Sequence, residues 1–486
     1  METYVGRSEA LKELKETLLG ERKRQGKLTI QSIDGPGGIG KTALFDHVLS
    51  RVDLEPRKYL TLRISGNDET SSSTFRTVIQ LANSATATSL PNKPPGYYFP
   101  TVNEVFLAYE NICREAISDL EKDSLKFNID LDMIMGVFDF AIAAGKPINT
   151  LIPKTKEYLN ADFLATHRED INALLKKLPS IVEESATFLE KLSISKGNSL
   201  RNAIKHNALE PLAEALISDL TTILSGYIGT DFLKPKSKKI EGVDRLLVVF
   251  DDYEKLQGTL GDFLIGHLLP KLKKANFEST VVVMVRDQLG SSHVAWDQSF
   301  GGETVKKISL TPLSRSEMDE LVAKHGIVTK NEMNRVWRDT EGYPFYVQLW
   351  LEETNDGGRS AVMLKRFHDR TTRWMNKQQK RWLGYTLFLD SVDRRSLKLV
   401  LGTEDEANDA YEWFENEGSI RDTTSSAFRV RPYLCSRLLD YLKISDPDLY
   451  DELKLSSEKL IISNSQLETG ALTGSLSIRN DDSGSM

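Results

Sequence analysis

The chain has 486 residues, a net charge of −7, and a composition that is 40% hydrophobic and 27% charged. At roughly 150 residues per domain this length predicts about three domains, each able to bury a core of its own. The composition excludes a wholly disordered, collagen-like or disulfide-stabilised protein, and the acidic balance excludes a global positive field for nucleic acid or anionic lipid.

Cysteine usage and hydropathy point to a location in the cytoplasm. Cys113 and Cys435 form no Cys-x-x-Cys or Cys/His cluster, which indicates a reducing compartment and no structural zinc site. The first residues lack the pattern of a secretory signal, and no apolar stretch approaches the ~18 residues of a membrane span. The longest, 133–144, is better interpreted as a buried or interfacial helix, so we expect no transmembrane segment.

The N-terminal part of the chain predicts a βαβ unit. A helix is expected over 8–20, because its leucines recur on one face and a glycine follows. A short buried strand at 28–33, a glycine-rich loop, a helix at 43–49 and a second strand at 58–64 come next. We assign residues 1–69 to the first part of a nucleotide-binding domain.

The glycine-rich loop, Gly35 to Thr42, matches the phosphate-binding pattern G-x-x-x-x-G-K-[ST]. Glycines let successive backbone N–H groups turn toward phosphates, and the helix that follows directs its positive end at them. Lys41 should contact the β and γ phosphates, and the Thr42 hydroxyl should ligate Mg²⁺. The sequence therefore predicts ATP or ADP with Mg²⁺, bound by Gly35, Pro36, Gly37, Gly38, Ile39, Gly40, Lys41, Thr42 and Ala43.

Residues 70–239 change to a helical pattern, which we interpret as a large insertion in the nucleotide-binding domain. The predicted helices cover 102–118, 161–178, 181–192 and 209–227, and a basic run at 234–239 closes the region. The 209–227 helix carries a broad apolar stripe that must be buried, either internally or against a partner. We favour an unknown protein partner or effector.

The α/β pattern resumes in residues 240–312. The apolar strand 246–250 ends in Asp251-Asp252-Tyr253-Glu254, the form of a Walker B element. Asp251 should hold Mg²⁺ through water, and Asp252 should polarise the attacking water as general base. Glu254 is a weaker candidate for the base, because two residues further on the chain should already be turning away.

A second Val-rich strand, 280–285, delivers Arg286 to the carboxyl edge of the sheet, where open α/β folds bind ligands. A guanidinium there can sense a γ-phosphate. A helix at 262–274 precedes this strand, and an edge strand at 304–310 follows it. Lys41, Asp251, Asp252 and Arg286 are thus the predicted catalytic residues.

The C-terminal part predicts two further helical regions. A capping box over Ser314–Glu317 opens a helix to residue 325, the first of a helical lid at 313–375. Three helices and a hairpin in 376–443 suggest a winged helix. The expected elements of that domain are helices 379–389, 394–401 and 405–416 and strands 418–421 and 427–430. Residues 444–486 should form a C-terminal helix and, from 463, a disordered tail.

In this order, the motifs resemble the STAND class of P-loop ATPases, which includes NACHT, apoptotic and plant-resistance switch proteins. The matching elements are Val5–Glu9, the phosphate loop, Asp251-Asp252, Arg286, Leu310–Leu313, Gly342-x-Pro344 and the winged-helix block. The resemblance implies an α/β P-loop NTPase parallel sheet with helical insertion, helical lid and C-terminal winged helix. It also implies that Val5, Gly6 and Arg7 lie near the adenine, that Arg286 is a sensor arginine, and that Pro344 contacts the base.

The resemblance further implies a slow, regulatory ATPase: a signalling switch that is closed with ADP and opens with ATP to form a homo-oligomer. A defence role follows from the resemblance alone. The phosphate loop and the Walker B element lie about 210 residues apart, far beyond an ordinary βα connection. The sensor repeats and effector domain typical of the class are not recognisable here.

Two other functions stay open. An origin-recognition-like, DNA-binding ATPase would share the loop, lid and winged helix. DNA contact is left possible by six basic residues of that block: Arg394, Arg395, Lys398, Arg421, Arg429 and Arg431. Against it, helix 405–416 is acidic without a lysine or arginine, so it would repel phosphate. The third function is a helical scaffold that retains ADP only as a structural ligand.

Overall fold

The structure is a computed structural model, and it describes most of the chain outside the centre of the predicted insertion. The predicted helices 161–178 and 181–192, the apolar segment 133–144 and the tail from 463 lie outside the described residues. The described residues are 4–19, 28–52, 58–68, 73–86, 98–122, 200, 203–225, 227–228, 238–239, 243–286, 288–289, 295–300, 305–355, 361–372, 375–417, 419–422 and 428–457.

Five parallel strands form the central sheet, in the order β2-β5-β6-β1-β7, and a separate antiparallel pair joins β3 to β4. This confirms the predicted α/β class with a parallel sheet, and it confirms the last strand as an edge strand. The strands are β1 Leu28–Asp34, β2 Lys58–Ser65, β3 Tyr227–Ile228, β4 Lys238–Lys239, β5 Val243–Asp251, β6 Glu278–Val285 and β7 Val305–Ser309.

Strand register brings the functional loops to one edge of the sheet. Asp34 of β1 is level with Val285 of β6, and Ser65 of β2 is level with Asp251 of β5. Because all five strands run in one direction, the segments that follow them leave from the same edge. Strands β1 and β6 are buried along almost their whole length, as expected for a parallel sheet whose two faces are both covered by helices.

Contacts divide the chain into two compact units. The sheet unit comprises residues 8–35 and 41–310, and the lid unit comprises the described residues of 1–7, 36–40 and 311–486. The helices of the sheet unit are α1 Ser8–Leu19, α2 Lys41–Val52, α3 Thr74–Asn83, α4 Pro100–Lys122, α5 Leu209–Leu224, α6 Tyr253–Asp262, a π-helix Phe263–Leu268, α7 Leu269–Lys274 and α8 Ala295–Phe300.

Two predicted boundaries in the sheet unit were wrong. The helix after the Walker B strand starts at Tyr253 instead of 262, because the chain turns sharply at Asp252, whose φ is +47°. The helix from Leu209 ends at Leu224, and Tyr227 instead pairs with Lys239 in the small antiparallel sheet.

The described part of the predicted insertion packs onto the α/β core. Leu212, Leu216 and Leu220 on α5 belong to the same buried hydrophobic cluster as strands β2, β5 and β6. Asp219 of α5 caps α4, because its carboxylate accepts hydrogen bonds from the backbone N–H of Thr101 and Val102, at 3.3 and 3.0 Å. The apolar stripe of α5 is therefore covered by the chain itself.

The lid unit is helical. Capping boxes at Ser314, Asn376 and Asp393 fix the starts of α9, α13 and α14. Its helices are α9 Arg315–Lys324, α10 Lys330–Thr340, α11 Pro344–Asn355, α12 Ala361–Thr372, α13 Lys377–Thr386, α14 Arg394–Leu401, α15 Glu404–Asn416 and α16 Pro432–Ser445. No helix within the described ranges is long and apolar enough to cross a membrane.

The three helices of the predicted winged helix, α13, α14 and α15, occur in the expected order. Among the described residues of this block the strand pairing is one antiparallel bridge between Arg421 and Val430, so the winged helix stays a prediction. Residues 418 and 423–427, which would complete the hairpin, lie outside the described residues. Tyr346 of α11 donates a hydrogen bond to the Ser419 carbonyl, at 2.7 Å, and so joins this block to the lid.

Candidate nucleotide-binding site

The loop between β1 and α2 has the backbone that phosphate binding requires. Gly38 and Gly40 have φ values of +76° and +95°, which residues with a side chain rarely adopt. The helix begins at Lys41 directly after the last glycine, so its unpaired N–H groups and positive dipole end face the loop. A parallel sheet with such a loop after a central strand is the P-loop nucleotide-binding architecture.

Lys41 is buried, with 7% of its surface exposed, and its ammonium donates to the Gly35 carbonyl at 2.5 Å. Burial lowers the pKa of Lys41, and among the neighbouring charges Glu254 opposes this most, ahead of Asp252 and Asp251. A buried cation held at its own loop is positioned to exchange that carbonyl for a phosphate oxygen.

Thr42 and Asp251, predicted as the metal pair, are in contact. The Thr42 hydroxyl donates to Asp251 Oδ2 at 3.0 Å. Burial raises the pKa of the Asp251 carboxyl, as does Asp252, while the hydrogen bond from Thr42 and the charge of Arg63 lower it. Hydroxyl and carboxylate oxygens are donors that Mg²⁺ prefers, so these two residues fit it.

No group of three or more His, Cys, Asp or Glu residues able to hold a metal occurs among the described residues. Mg²⁺ usually keeps several waters and takes phosphate oxygens in addition to one or two protein ligands. The Thr42 and Asp251 pair meets that requirement for a metal that would bind together with a nucleotide.

Arg63 of β2 is a site residue that the sequence analysis missed. Its guanidinium bridges Asp46 of α2, at 2.5 Å, and Asp251, at 3.3 Å. A positive charge thus already lies at the carboxylate that would hold Mg²⁺. Strand alternation places Arg63 and Ser65 on one face of β2, but only the pairing of β2 with β5 reveals Asp251 as the neighbour.

Asp252 is held by the end of β2. Its Oδ2 accepts hydrogen bonds from the Asn67 amide and from the Ser65 hydroxyl, the latter at 3.4 Å. Lys255 in turn donates to the Asn67 side chain. The carboxylate predicted to be the general base is therefore engaged in a polar network beside the loop that follows β2.

Glu254 lies beside Arg286. Arg286 Nε donates to Glu254 Oε1 at 3.1 Å, while Glu254 Oε2 is buried and has no hydrogen-bond partner among the described residues. Burial raises the pKa of the Glu254 carboxyl, while a hydrogen bond from its own backbone and the charges of Arg286 and Lys41 lower it. The expectation that Glu254 turns away was wrong: the left-handed Asp252 starts α6 at once and leaves Glu254 in its first turn.

In the lid unit, the segment before α1 is fixed to the start of α9. The backbone N–H of Arg7 donates to Glu317 Oε1 at 2.5 Å, and Arg7 Nη2 donates to the carbonyls of Ile39 and Thr311. Gly6 and Arg7 both have positive φ values, +77° and +58°. Although burial opposes it, the hydrogen bonds from Arg7 and Ser314 lower the pKa of Glu317.

The Gly-Tyr-Pro segment of the lid contacts the same loop at another residue. The Tyr343 hydroxyl donates to the Gly37 carbonyl at 2.7 Å. A Cβ at Gly38 would lie 2.9 Å from Phe345 Cβ, so only glycine fits there. Pro344 is the first residue of α11, where its missing N–H costs nothing. Tyr343 thus makes the loop contact in a segment where the prediction named Pro344.

The structure distributes the predicted site residues between its two units. Gly35, Lys41, Thr42, Asp251, Asp252 and Arg286 lie in the sheet unit, with Ala43 exposed in the first turn of α2. The lid unit contains Val5, Gly6, Arg7, Pro36, Gly37, Gly38, Ile39, Gly40 and Pro344. Five residues with functional contacts were not among the predicted site residues: Arg63, Asn67, Glu254, Glu317 and Tyr343.

Comparisons with known proteins give distant similarities only. No protein-family model matches the chain, and no curated protein matches its sequence. A signal transduction ATPase with numerous domains (STAND) and a tetratricopeptide repeat sensor, from Pyrococcus horikoshii, is similar at 12% identity and a TM-score of 0.29. That alignment covers 96% of this chain and 46% of the archaeal protein, so this chain spans about half of its length.

Two other solved structures are similar over more of their own length. A Walker-type ATPase of Pyrococcus abyssi aligns over 90% of this chain and 96% of its own, at 13% identity and a TM-score of 0.42. The ORC1 protein of Aeropyrum pernix, solved in complex with DNA, aligns over 92% and 94%, at 11% identity and a TM-score of 0.38.

Proposed function

We propose that this chain is an ATP-dependent switch of the STAND type, which binds ATP or ADP with Mg²⁺ and hydrolyses ATP slowly. One observation carries the proposal. The backbone carbonyls of Gly37 and Ile39, inside the phosphate loop, accept hydrogen bonds from Tyr343 of the lid and from Arg7. A change of loop conformation on nucleotide binding therefore has to break or rearrange contacts of the lid unit.

The chemistry of hydrolysis follows from the sheet unit. Lys41 would bind the β and γ phosphates through charge-assisted hydrogen bonds, and Arg286 would neutralise charge on the γ-phosphate. Mg²⁺, held by Thr42 and Asp251, would neutralise further charge that develops on the phosphate oxygens. An acidic residue at the same edge would take a proton from the attacking water.

The switch model assigns roles to the remaining regions. With ADP the helical lid at 313–375 and the predicted winged helix at 376–443 stay closed, and with ATP they open and allow a homo-oligomer to form. A protein partner or effector would bind the part of the 70–239 insertion other than α5, whose apolar face is already covered. The location we propose is the cytoplasm.

An origin-recognition-like function on DNA is the alternative. Helix α15 carries three acidic residues in its first turn, and several nearby cations already have partners. Lys398 pairs with Glu404, Arg429 pairs with Asp422, and Arg394 and Arg421 lie over aromatic rings. Paired cations release fewer counterions on binding to DNA, which favours the switch.

The experiment combines equilibrium binding of fluorescent ADP and ATP analogues with a phosphate-release assay on the full chain. The proposal expects saturable, Mg²⁺-dependent binding of both nucleotides and slow turnover that Lys41→Ala abolishes. Binding of ADP without any turnover would favour the scaffold that retains ADP as a structural ligand. Salt-sensitive binding of duplex DNA in an anisotropy titration would favour the alternative.

A further inference from the structure

We infer that Glu254 is the residue that activates the attacking water, and that Arg286 restrains it until a third phosphate arrives. This inference rests on the proposed ATPase function and concerns the regulation of that same site. The observation behind it is the Glu254–Arg286 ion pair at the carboxyl edge of the sheet, at 3.1 Å.

The two candidate carboxylates differ in what they contact. Asp252 is engaged by Asn67 and Ser65, at the end of β2. Glu254 contacts Arg286, the residue that follows β6, and β6 is the strand that pairs with β1, which carries the phosphate loop. Strand order therefore puts Glu254 nearer than the Asp252 network to the strand from which the phosphate loop leaves.

The charges around Lys41 and Glu254 agree with this placement. Of the acidic residues that act on the Lys41 ammonium, Glu254 acts most strongly, ahead of Asp252 and Asp251. The positive groups facing Glu254 are Arg286 and Lys41, and Asp252 is the facing negative group. Both cations are residues predicted to bind phosphate oxygens, so the Glu254 carboxylate lies beside the position of those oxygens.

The unpaired oxygen of Glu254 supplies the acceptor. Oε1 is occupied by Arg286, whereas Oε2 is buried without a hydrogen-bond partner among the described residues. A buried carboxylate oxygen without a donor is costly, which indicates that a donor arrives in the working state. A water molecule lying between Glu254 and a γ-phosphate would be such a donor.

The reaction step balances without any further reactant. The water oxygen forms a bond to the γ-phosphorus as the bond from that phosphorus to the β–γ bridging oxygen breaks, and the bridging oxygen leaves with the electron pair on ADP. The water proton passes to Glu254 Oε2 and then to solvent or to the released phosphate. ATP and water give ADP and inorganic phosphate.

The ion pair makes this step depend on the nucleotide. With ADP bound, Arg286 stays on Glu254, and its positive charge weakens the carboxylate as a proton acceptor. A γ-phosphate offers Arg286 a more highly charged partner, so Arg286 moves to it and frees Glu254. The same arginine thereby reports the third phosphate and releases the base.

The test compares Glu254→Gln with Asp252→Asn in the full chain, using phosphate release and nucleotide binding. Glu254→Gln should slow turnover by at least about a hundredfold, the lower range for loss of a general base, and Asp252→Asn by less than about tenfold. Glu254→Asp should recover part of the rate. Glu278→Gln is the matched control, because Glu278 pairs with Arg245 at the start of β6, away from the carboxyl edge.

A binding measurement tests the restraint separately from catalysis. In the Glu254→Gln variant, Arg286 is no longer held by an ion pair. This variant should bind a non-hydrolysable ATP analogue roughly fivefold more tightly than the wild type does, the scale of a partly exposed ion pair. Affinity for ADP should change less, because ADP has no γ-phosphate for Arg286 to bind. Arg286→Gln should lose the preference for the ATP analogue.

The outcomes separate this inference from the proposed function. A wild type that turns over ATP while Asp252→Asn abolishes turnover and Glu254→Gln does not would overturn the role of Glu254 and leave the ATPase standing. Loss of nucleotide binding in Glu254→Gln would overturn it too, because the residue would then be structural. A wild type that neither binds nor hydrolyses ATP would refute the proposed function, and the inference with it.

Discussion

The sheet unit and the lid unit hold their parts of the candidate site by different kinds of interaction. In the sheet unit, partly buried charges hold one another, as in the Glu254–Arg286 and Arg63–Asp251 pairs. In the lid unit, side chains hold backbone carbonyls of the phosphate loop, as Tyr343 holds Gly37. Charged side chains can bind phosphate and transfer protons. Hydrogen bonds to a loop carbonyl depend on the conformation of the loop. Substitutions in the first unit should therefore change binding and turnover, and those in the second should change stability.

The largest effect is expected for Lys41→Ala, which removes a buried cation predicted to bind two phosphates. Charge-assisted hydrogen bonds are worth about 1.5 to 3 kcal/mol each, so nucleotide affinity should fall at least about a hundredfold. Equilibrium titration with a fluorescent ATP analogue measures it. Lys271→Ala is the control, since Lys271 pairs with Glu210 outside the site. Normal binding by Lys41→Ala would refute the phosphate-loop assignment.

Gly342→Ala tests whether the lid unit depends on backbone shape. A Cβ there would lie 2.1 Å from the Leu313 carbonyl oxygen, at a φ of +73°. The clash and the strain together should cost about 3 kcal/mol of folding stability, seen as a lower unfolding temperature. Gly326→Ala is the matched control, because its φ is +88° but nothing lies within 4 Å; its cost should be about 1 kcal/mol. Equal losses in both variants would contradict close packing at Gly342.

Asp219 is a buried carboxyl of the sheet unit whose described hydrogen-bond donors, the backbone N–H groups of Thr101 and Val102, are uncharged. Burial raises its pKa to about 6, against the hydrogen bonds from Thr101 and Val102. A raised acid pKa contributes stability below the unfolded value near 4, and that contribution is lost as the pH rises through about 6. Asp219→Asn should therefore gain on the order of 2 kcal/mol relative to the wild type between pH 4 and pH 6. Curves of unfolding free energy against pH that run parallel for the variant and the wild type would contradict this.

Tyr343→Phe removes the hydroxyl that bonds Gly37 and keeps the ring. A single neutral hydrogen bond contributes about 1 kcal/mol, so the lid unit should lose that amount of stability. Turnover per bound nucleotide should change little, because no charge is altered. Tyr385→Phe serves as control, since that ring is partly exposed and lies near Arg381. A fall in turnover per bound nucleotide that the loss of folded protein does not explain would show that the Tyr343 hydroxyl takes part in the hydrolysis reaction.

The smallest effect is expected for Arg63→Gln. Arg63 already lies at Asp251, so it competes with Mg²⁺ for the carboxylate. Without it, the Mg²⁺ concentration that half-saturates nucleotide binding should fall roughly threefold, in keeping with a partly exposed ion pair. Arg51→Gln in the exposed last turn of α2 is the control. A requirement for more Mg²⁺ would show that Arg63 supports the metal site.

Local chemistry made most elements of the fold predictable. The glycine loop between a strand and a helix, the apolar strands ending in acids and the capping box at Ser314 each act over a few residues, and the structure contains all of them. The edge position of the last strand also agreed. Helix ends were less predictable. Ser225 and Gly226 follow Leu224 in the sequence and favour a stop there, but the apolar pattern continues to Tyr227, and periodicity alone fixes a helix end only to within a few residues.

Contacts between residues far apart in the sequence account for the site residues that could not be predicted. Arg63 reaches Asp251 because β2 pairs with β5, and Glu254 reaches Arg286 because β5 pairs with β6. Neither pairing follows from sequence order alone, since 188 residues separate Arg63 from Asp251. The direction of Glu254 depended on one left-handed residue, Asp252, and its side chain is of a type that tolerates this conformation.

Assembly controlled by the nucleotide is the central claim, and light scattering coupled to size-exclusion chromatography tests it directly. With saturating ADP and Mg²⁺ the full chain should elute at its monomer mass, 54.7 kDa. With a non-hydrolysable ATP analogue and Mg²⁺ it should elute at a multiple of that mass. The same mass in both states, with both nucleotides shown to be bound, would contradict the switch.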